Sequence, residues 1–224
     1  MPEPIINNSR NDSYIAGSQV YILGDFSTQN MNELVGNLGS YIFSLPPHPI
    51  YKISGKITSP YDINDIQNPI IDIFIDSCGG EEYALQNLSS LINIAKSRGA
   101  IIRTTVLARA FSAGSLLAIQ GTPGFRIMAH DARHMVHFGT TSMIAKNPDD
   151  IEIRAQQIAN QKKIIQEKYK TYTKVPAKKF NQWLRCESGY LTATECLEMG
   201  FCDWILGENG IFIKQIQNKN QKAK

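Results

Sequence analysis

Apolar positions along this chain recur in a fixed order: a run of β-branched residues, a turn, then a stripe at helical spacing. Residues 19–23 read as a short strand, and residues 31–43 place Leu34, Leu38 and Ile42, with Val35 beside them, on one helical face. Pro46-Pro47 stop that helix. A buried strand over 70–75 runs into Asp76-Ser77-Cys78-Gly79-Gly80, whose paired glycines permit positive φ and close approach of a ligand to the backbone. The helix expected over 81–98 carries Leu85, Leu88, Leu91, Ile92 and Ala95 on one stripe. Acidic residues open it, basic ones close it, and Gly99 follows its end. Residues 101–107 are the next strand, Ser112 stands at the following turn, and the run Leu116 to Ile119 reads as a buried helix with Gly121 as its C-cap. Further strands are expected over 125–128, 134–137 and 201–205.

The second half holds a longer helix. Asn147 as cap, Pro148 at the first helical position and Asp149 and Asp150 near the positive dipole end predict a helix reaching about Tyr172. Its apolar stripe of Ile151, Ala155, Ile158, Ile165 and Tyr169 is narrow. That suits projection and packing on another subunit, as well as a lone helix lying over its own core. Val175-Pro176 breaks it before a shorter helix over 177–185, and Thr192 with Glu195 forms a capping box for a helix ending at Gly200. Successive strand-helix units predict an α/β fold with parallel strands and a site at their carboxyl ends. One domain is expected over 19–212, flanked by a flexible arm over 1–18 and a polar, basic tail over 213–224. Residues 46–68 contain four of the ten prolines and a candidate hairpin strand over 51–57, the pattern of an insertion or an edge element.

Composition narrows the class. A chain of 224 residues, 42% hydrophobic, can bury a full core. It has no run near the roughly 18 apolar residues that span a bilayer, and Met1-Pro2-Glu3-Pro4 does not open a basic-then-apolar leader. A cytoplasmic protein without membrane association is therefore expected. Cys78, Cys186, Cys196 and Cys202 lack C-x-x-C spacing, so free thiols are expected rather than zinc ligands or disulfides. A net charge of +3, partly from the tail, gives little ground for nucleic acid binding.

Ser112 has small neighbours and sits where a strand turns into a helix, so free N–H groups there can stabilise an oxyanion. An ordinary N-cap serine fits the same pattern. Of the nearby histidines, His134 and His137 fall on opposite faces of a period-two strand, so no metal site is expected among His130, His134 and His137. A histidine on a neighbouring strand can instead serve a nucleophilic serine as base.

From about Gln19 to Leu206 the chain resembles the proteolytic subunit of the Clp protease. Asp76-Ser77-Cys78-Gly79-Gly80 stands for the family's Asn-Ser-Pro-Gly-Gly, and Ala108 to Gly114 for its Gly-Gln-Ala-Ala-Ser-Met-Gly. Ala132 to His137 stands for Ala-Arg-Ile-Met-Ile-His, and Asp150 to Ala155 for the opening of its handle helix. Leu191-Thr192-Ala193-Thr194-Glu195, with Gly200 and Asp203, echoes its late Leu-Ser-Ala-x-Glu segment.

The resemblance implies the Clp/crotonase fold, a spiral of β-β-α units with a projecting handle at about 139–175. It implies peptide hydrolysis through an acyl-enzyme, with Ser112 as nucleophile, His137 as base, and Gly80 and Ala113 as the oxyanion hole. No cofactor is implied. The substrates would be peptides or unfolded proteins, the assembly stacked heptameric rings forming a tetradecamer, and the family partner an ATP-driven unfoldase. The chain departs from the pattern at the third triad position, where Ser188 replaces Asp and Glu187 is the adjacent carboxylate, taken as third member. The stretch from Phe138 to Met143 lacks the family's glycine-rich pattern, and residues 1–18 do not show its axial loop. A catalytically weak or inactive ring subunit with a structural role, and a crotonase-like acyl-CoA enzyme, are the alternative readings.

Overall fold

Short runs of Ile and Val assemble into one sheet in the computed structural model, which describes residues 13–52, 57–61, 66–139, 147–185 and 188–214. Strand β1 (Tyr14–Ala16) pairs antiparallel with β2 (Gln19–Leu23), turning at Gly17 with φ 61°. This strand lies in the stretch expected to be a flexible arm. Its support is tertiary: Tyr14 stacks on Tyr21 at 4.6 Å, and Tyr21 on Phe74 at 4.9 Å. Helix α1 (Thr28–Ser44) begins three residues before the periodic pattern because Ser27 accepts the Asn30 N–H at 3.0 Å. It buries Met31, Leu34, Leu38 and Ile42.

The expected hairpin over 51–57 falls partly outside the described residues, and Tyr51, Lys52 and Ile57 belong to no strand. The segment is nonetheless tied to the body. Asn68 Nδ2 donates to the Pro49 and Gly99 carbonyls, and the Arg103 guanidinium donates to Pro60 O and lies 4.1 Å from the Tyr61 ring.

Strand β3 (Ile70–Ser77), helix α2 (Glu82–Ser97) and strand β4 (Ile101–Phe111) form the centre. Short helix α3 (Ala113–Ala118) follows β4, then β5 (Arg126–Ala129) and β6 (Arg133–Val136). Long helix α4 (Pro148–Tyr172), α5 (Ala177–Arg185), β7 (Gly189–Thr192), α6 (Ala193–Glu198), β8 (Trp204–Leu206) and β9 (Phe212–Lys214) complete the chain. Among the described residues the sheet runs β1-β2-β3-β4-β5-β8-β9, with β2, β3, β4, β5 and β8 parallel and antiparallel strands at both edges. Near its end β4 changes neighbour. Thr104 to Val106 pair with β5, whereas Arg109 to Phe111 pair with β6, which in turn pairs with β7. The β3–β4 register shifts at the same level, between Ile75 and Ser77. This fork sets the ends of β4 and β6 side by side.

Some expected boundaries need correction. Strand β8 starts at Trp204 rather than Phe201, because the Phe201 and Cys202 N–H groups turn back onto the Cys196 carbonyl. Strands β7 and β9 fall where no strand was expected, and β9 occupies the start of the supposed tail. Helix α3 ends before Ile119, and Gly121 is not in the left-handed region, so it is no glycine cap. It is there for space: a Cβ would stand 2.6 Å from both Arg126 Cγ and Thr104 Oγ1.

The sequence signals at α4 hold, since Asn147 Oδ1 accepts the Asp150 N–H at 2.8 Å and Pro148 opens the helix. Tyr169 is the one buried residue of α4, while Ile151, Ile153 and Ile164 are about half exposed. The helix thus meets the core only near its end. There Tyr169 packs on Phe180 and Phe201, with ring centroids at 5.0 and 5.9 Å. Arg126 closes the junction, donating to the Tyr172 and Gly200 carbonyls at 2.7 and 2.8 Å while its other nitrogens hold Asp203. No helix among the described residues is long and apolar enough to cross a membrane.

Candidate active site

Ser112 joins β4 to α3 with φ 53° and ψ −116°, the one positive φ among the described residues other than glycine. Such a conformation is costly for a residue with a side chain and persists only where the surroundings impose it. Its hydroxyl makes no capping hydrogen bond, so the ordinary N-cap role is not what this serine performs. Two neighbours impose the turn. The Ser112 N–H donates to Met135 O at 2.9 Å, and Gly79 passes so close that a Cβ would lie 2.6 Å from Ser112 Cβ and 2.8 Å from Phe111 O.

The glycine loop is held from the other side by Phe26. Its N–H donates to Gly79 O at 2.7 Å, and its carbonyl accepts the Glu81 N–H at 2.8 Å. In a parallel bridge of this kind Gly80 directs its own N–H and C=O to the opposite edge, where β4 ends. A Cβ on Gly80 would run into the Phe26 carbonyl. The Gly79 N–H is taken by the buried Ser77 hydroxyl at 3.0 Å, and the Ala113 N–H, first in α3, has no partner within the helix. Farther out, the Glu81 carboxylate accepts from Thr28 N–H and Oγ1 at 2.9 and 2.6 Å, and these bonds lower its pKa. Arg109 spans the loop to Asp76 at 2.8 Å and Cys78 Sγ at 3.3 Å.

His137 follows β6 directly. The pairing Phe111↔Met135 brings it and Ser112 off adjacent strand ends. The ring is half-buried, and burial pushes its pKa below the ordinary imidazole value, which leaves it neutral at pH 7. Among the described residues neither the Ser112 hydroxyl nor the His137 ring makes a side-chain hydrogen bond, and such contacts commonly tighten only once substrate is bound. Continuing the β6–β7 register one step past Val136↔Gly189 puts Ser188 opposite His137. Glu187 and Cys186 lie outside the described residues, as do positions 140–143 of the expected substrate strand. Gly189 is required by Trp183, whose indole lies against its backbone.

His134 stands in different surroundings from His137. It is fully buried, its Nδ1 is 3.1 Å from Ser115 Oγ, and burial pushes its pKa down to about 3. Tyr169 O–H donates to the same Ser115 oxygen at 3.0 Å. Ser115 thus joins His134 and Tyr169 through one buried hydroxyl. Ser115 and Tyr169 were absent from the sequence-based site; the one available signal was a hydroxyl inside the apolar run after Ser112. His130 contacts Asp131 and Glu208 at 3.0 and 3.1 Å. Among the described residues these three are the one group whose side chains converge closely enough to share a cation, and both carboxylates are exposed.

Compared with known proteins, residues 61–209 match the family model described as Clp protease. An ATP-dependent Clp protease proteolytic subunit of Deinococcus radiodurans is 24% identical over 159 residues, covering 70% of this chain and 76% of that protein. ATP-dependent Clp protease proteolytic subunit 2 of Streptomyces coelicolor is 26% identical over 136 residues, 61% of each protein. The subunit 2 of Corynebacterium jeikeium is 28% identical over 138 residues, 60% of this chain and 63% of the relative. The matched region thus spans about three fifths of the last two relatives.

Proposed function

The chain belongs to the Clp protease family, and from that premise we propose that it is a serine-type endopeptidase with Ser112 as nucleophile and His137 as general base. The observation that carries this reading is the backbone of Ser112, held at φ 53° with its hydroxyl unspent, beside the glycine loop and the end of β6. Ser112 Oγ attacks the scissile carbonyl while His137 takes its proton. The Gly80 and Ala113 N–H groups receive the developing oxyanion. His137 then protonates the leaving amine, and a water it activates releases the acyl group from Ser112.

Glu187 is the carboxylate assigned to orient His137. Ser188, one step past the last paired residue Gly189, offers only a hydroxyl. The assembly proposed is two stacked heptameric rings enclosing Ser112, acting on peptides or unfolded proteins in the cytoplasm with an ATP-driven unfoldase and without a cofactor. Exposed Ile151, Ile153 and Ile164 on α4 support its role as a subunit contact. The Ser188 hydroxyl favours a second reading, a ring subunit with little or no activity.

Hydrolysis of an internally quenched peptide by the assembled protein separates the two. The peptidase reading expects turnover that disappears in Ser112→Ala without loss of assembly. Assembled wild type with no turnover supports the second reading.

A further inference from the structure

Charge is distributed unevenly in this chain. Between Lys162 and Arg185 fall eight of its 23 basic residues and one of its 20 acidic ones, so this stretch carries a formal +7 while the remainder of a chain totalling +3 carries −4. The stretch is the second half of α4, the link after it and all of α5. Lys163 and Lys170 share one face of α4 by their seven-residue spacing, Lys174 follows just beyond the end of the helix, and all three are exposed. On α5, Lys178 and Arg185 share the outer face, opposite the buried Phe180 and Trp183, and exposed Lys179 lies at its border with its ammonium 5.4 Å from the Trp183 ring. Among the described residues, Lys170 alone of these six has an ion-pair partner, Glu167 at 2.6 Å. The two helices meet at a cleft lined by Gln166, Lys170, Phe180 and Asn181, with Gln166 donating to Asn181 at 3.4 Å.

We propose that the basic face of α4 and α5 is a binding surface for acidic stretches of polypeptide, delivering them to the site at Ser112. The inference rests on the peptidase reading for its destination but not for the binding itself. Concentrated cations with few carboxylate partners attract and hold an anionic chain. Seven of the eight cations are lysines, point charges suited to scattered carboxylates rather than to bidentate phosphate recognition. Of the aromatic rings of the stretch Tyr169, Phe180 and Trp183 are buried, and half-buried Tyr172 has the Lys96 ammonium 5.5 Å from its ring, so no row of open rings is presented for stacking nucleic acid bases. Position completes the argument. Arg185 is three residues before Ser188, at most about 11 Å along the chain, and Ser188 and His137 each directly adjoin the last pair of the β6–β7 register, Val136↔Gly189.

Fluorescence anisotropy on Ser112→Ala protein tests this without hydrolysis, using a labelled Asp/Glu-rich peptide and its Asn/Gln counterpart. The acidic peptide is expected to bind about tenfold more tightly at about 0.05 M salt, with the advantage nearly gone at about 0.5 M. Lys178→Glu with Lys179→Glu and Arg185→Glu should bring it to the level of the neutral peptide, and the milder Lys178→Gln/Lys179→Gln pair part of the way. Equal binding of both peptides at low salt overturns the proposal. So does a preference that survives charge reversal, or single-stranded DNA that displaces the acidic peptide at lower concentration than unlabelled acidic peptide. Each of these failures leaves Ser112-dependent hydrolysis standing, and absent hydrolysis leaves the binding result readable.

Discussion

Ser112 and His137 are ordinary residues made unusual by their neighbours. A serine pays a steric penalty at φ 53° that glycine does not, and small flanking residues in the sequence only hint at it. The backbone contacts with Met135 and Gly79 that impose it come from segments distant in the chain. Strand parity set His134 and His137 on opposite faces and the family resemblance of Ala132 to His137 pointed to His137; in the structure one ring is fully buried, the other half-buried. A base acts in its neutral form, so kcat/KM should rise with pH through the His137 pKa. Because burial lowers that pKa, the midpoint of the acid limb is expected below the usual value of about 6.5, and a pH–rate profile checks it. A midpoint well above that value would contradict the assignment. For the third member, Glu187→Gln is expected to lower kcat by at least about 10²-fold, toward the roughly 10⁴-fold loss seen when such a carboxylate is neutralised. Ser188→Ala should cost much less. Small, equal effects in a peptide-hydrolysis assay would remove Glu187 from the mechanism.

At the level of elements, Ser115 links three of them: its own helix α3, β6 through His134, and the end of α4 through Tyr169. All three polar groups are buried, so Ser115→Ala leaves His134 Nδ1 and the Tyr169 hydroxyl unsatisfied in the core. The expected cost is about 2–4 kcal/mol in urea unfolding, and a change below about 0.5 kcal/mol would show that the junction does not depend on this pair. Elements with a local start or stop signal were legible in sequence: α2 with Gly99 beyond it, α4 with Asn147 and Pro148, α6 with its Thr192–Glu195 box. The three- and four-residue strands β1, β7 and β9 were not, because each exists through its pairing partner rather than through a local pattern. Gly121 was misread for a related reason. Its lack of a side chain answers to Thr104 and Arg126, not to the end of a helix.

Across the whole molecule, the fork in β4 is the feature that turns a sheet into a candidate site. It takes the end of the strand that leads into Ser112 away from β5 and sets it against the strand that leads into His137, while the Phe26 bridge brings the glycine loop to the same edge. The motifs in order along the chain made the family legible, and the matching of residues 61–209 to the Clp protease model agrees with that. The strain at Ser112 and the weld beneath it required three dimensions. Labelling by a fluorophosphonate probe, followed by peptide mapping, tests the central claim most directly. The account predicts a single adduct on Ser112 in the assembled wild type, lost in Ser112→Ala and strongly slowed in His137→Ala. An assembled wild type that stays unlabelled, or a Ser112→Ala protein labelled equally, would contradict it.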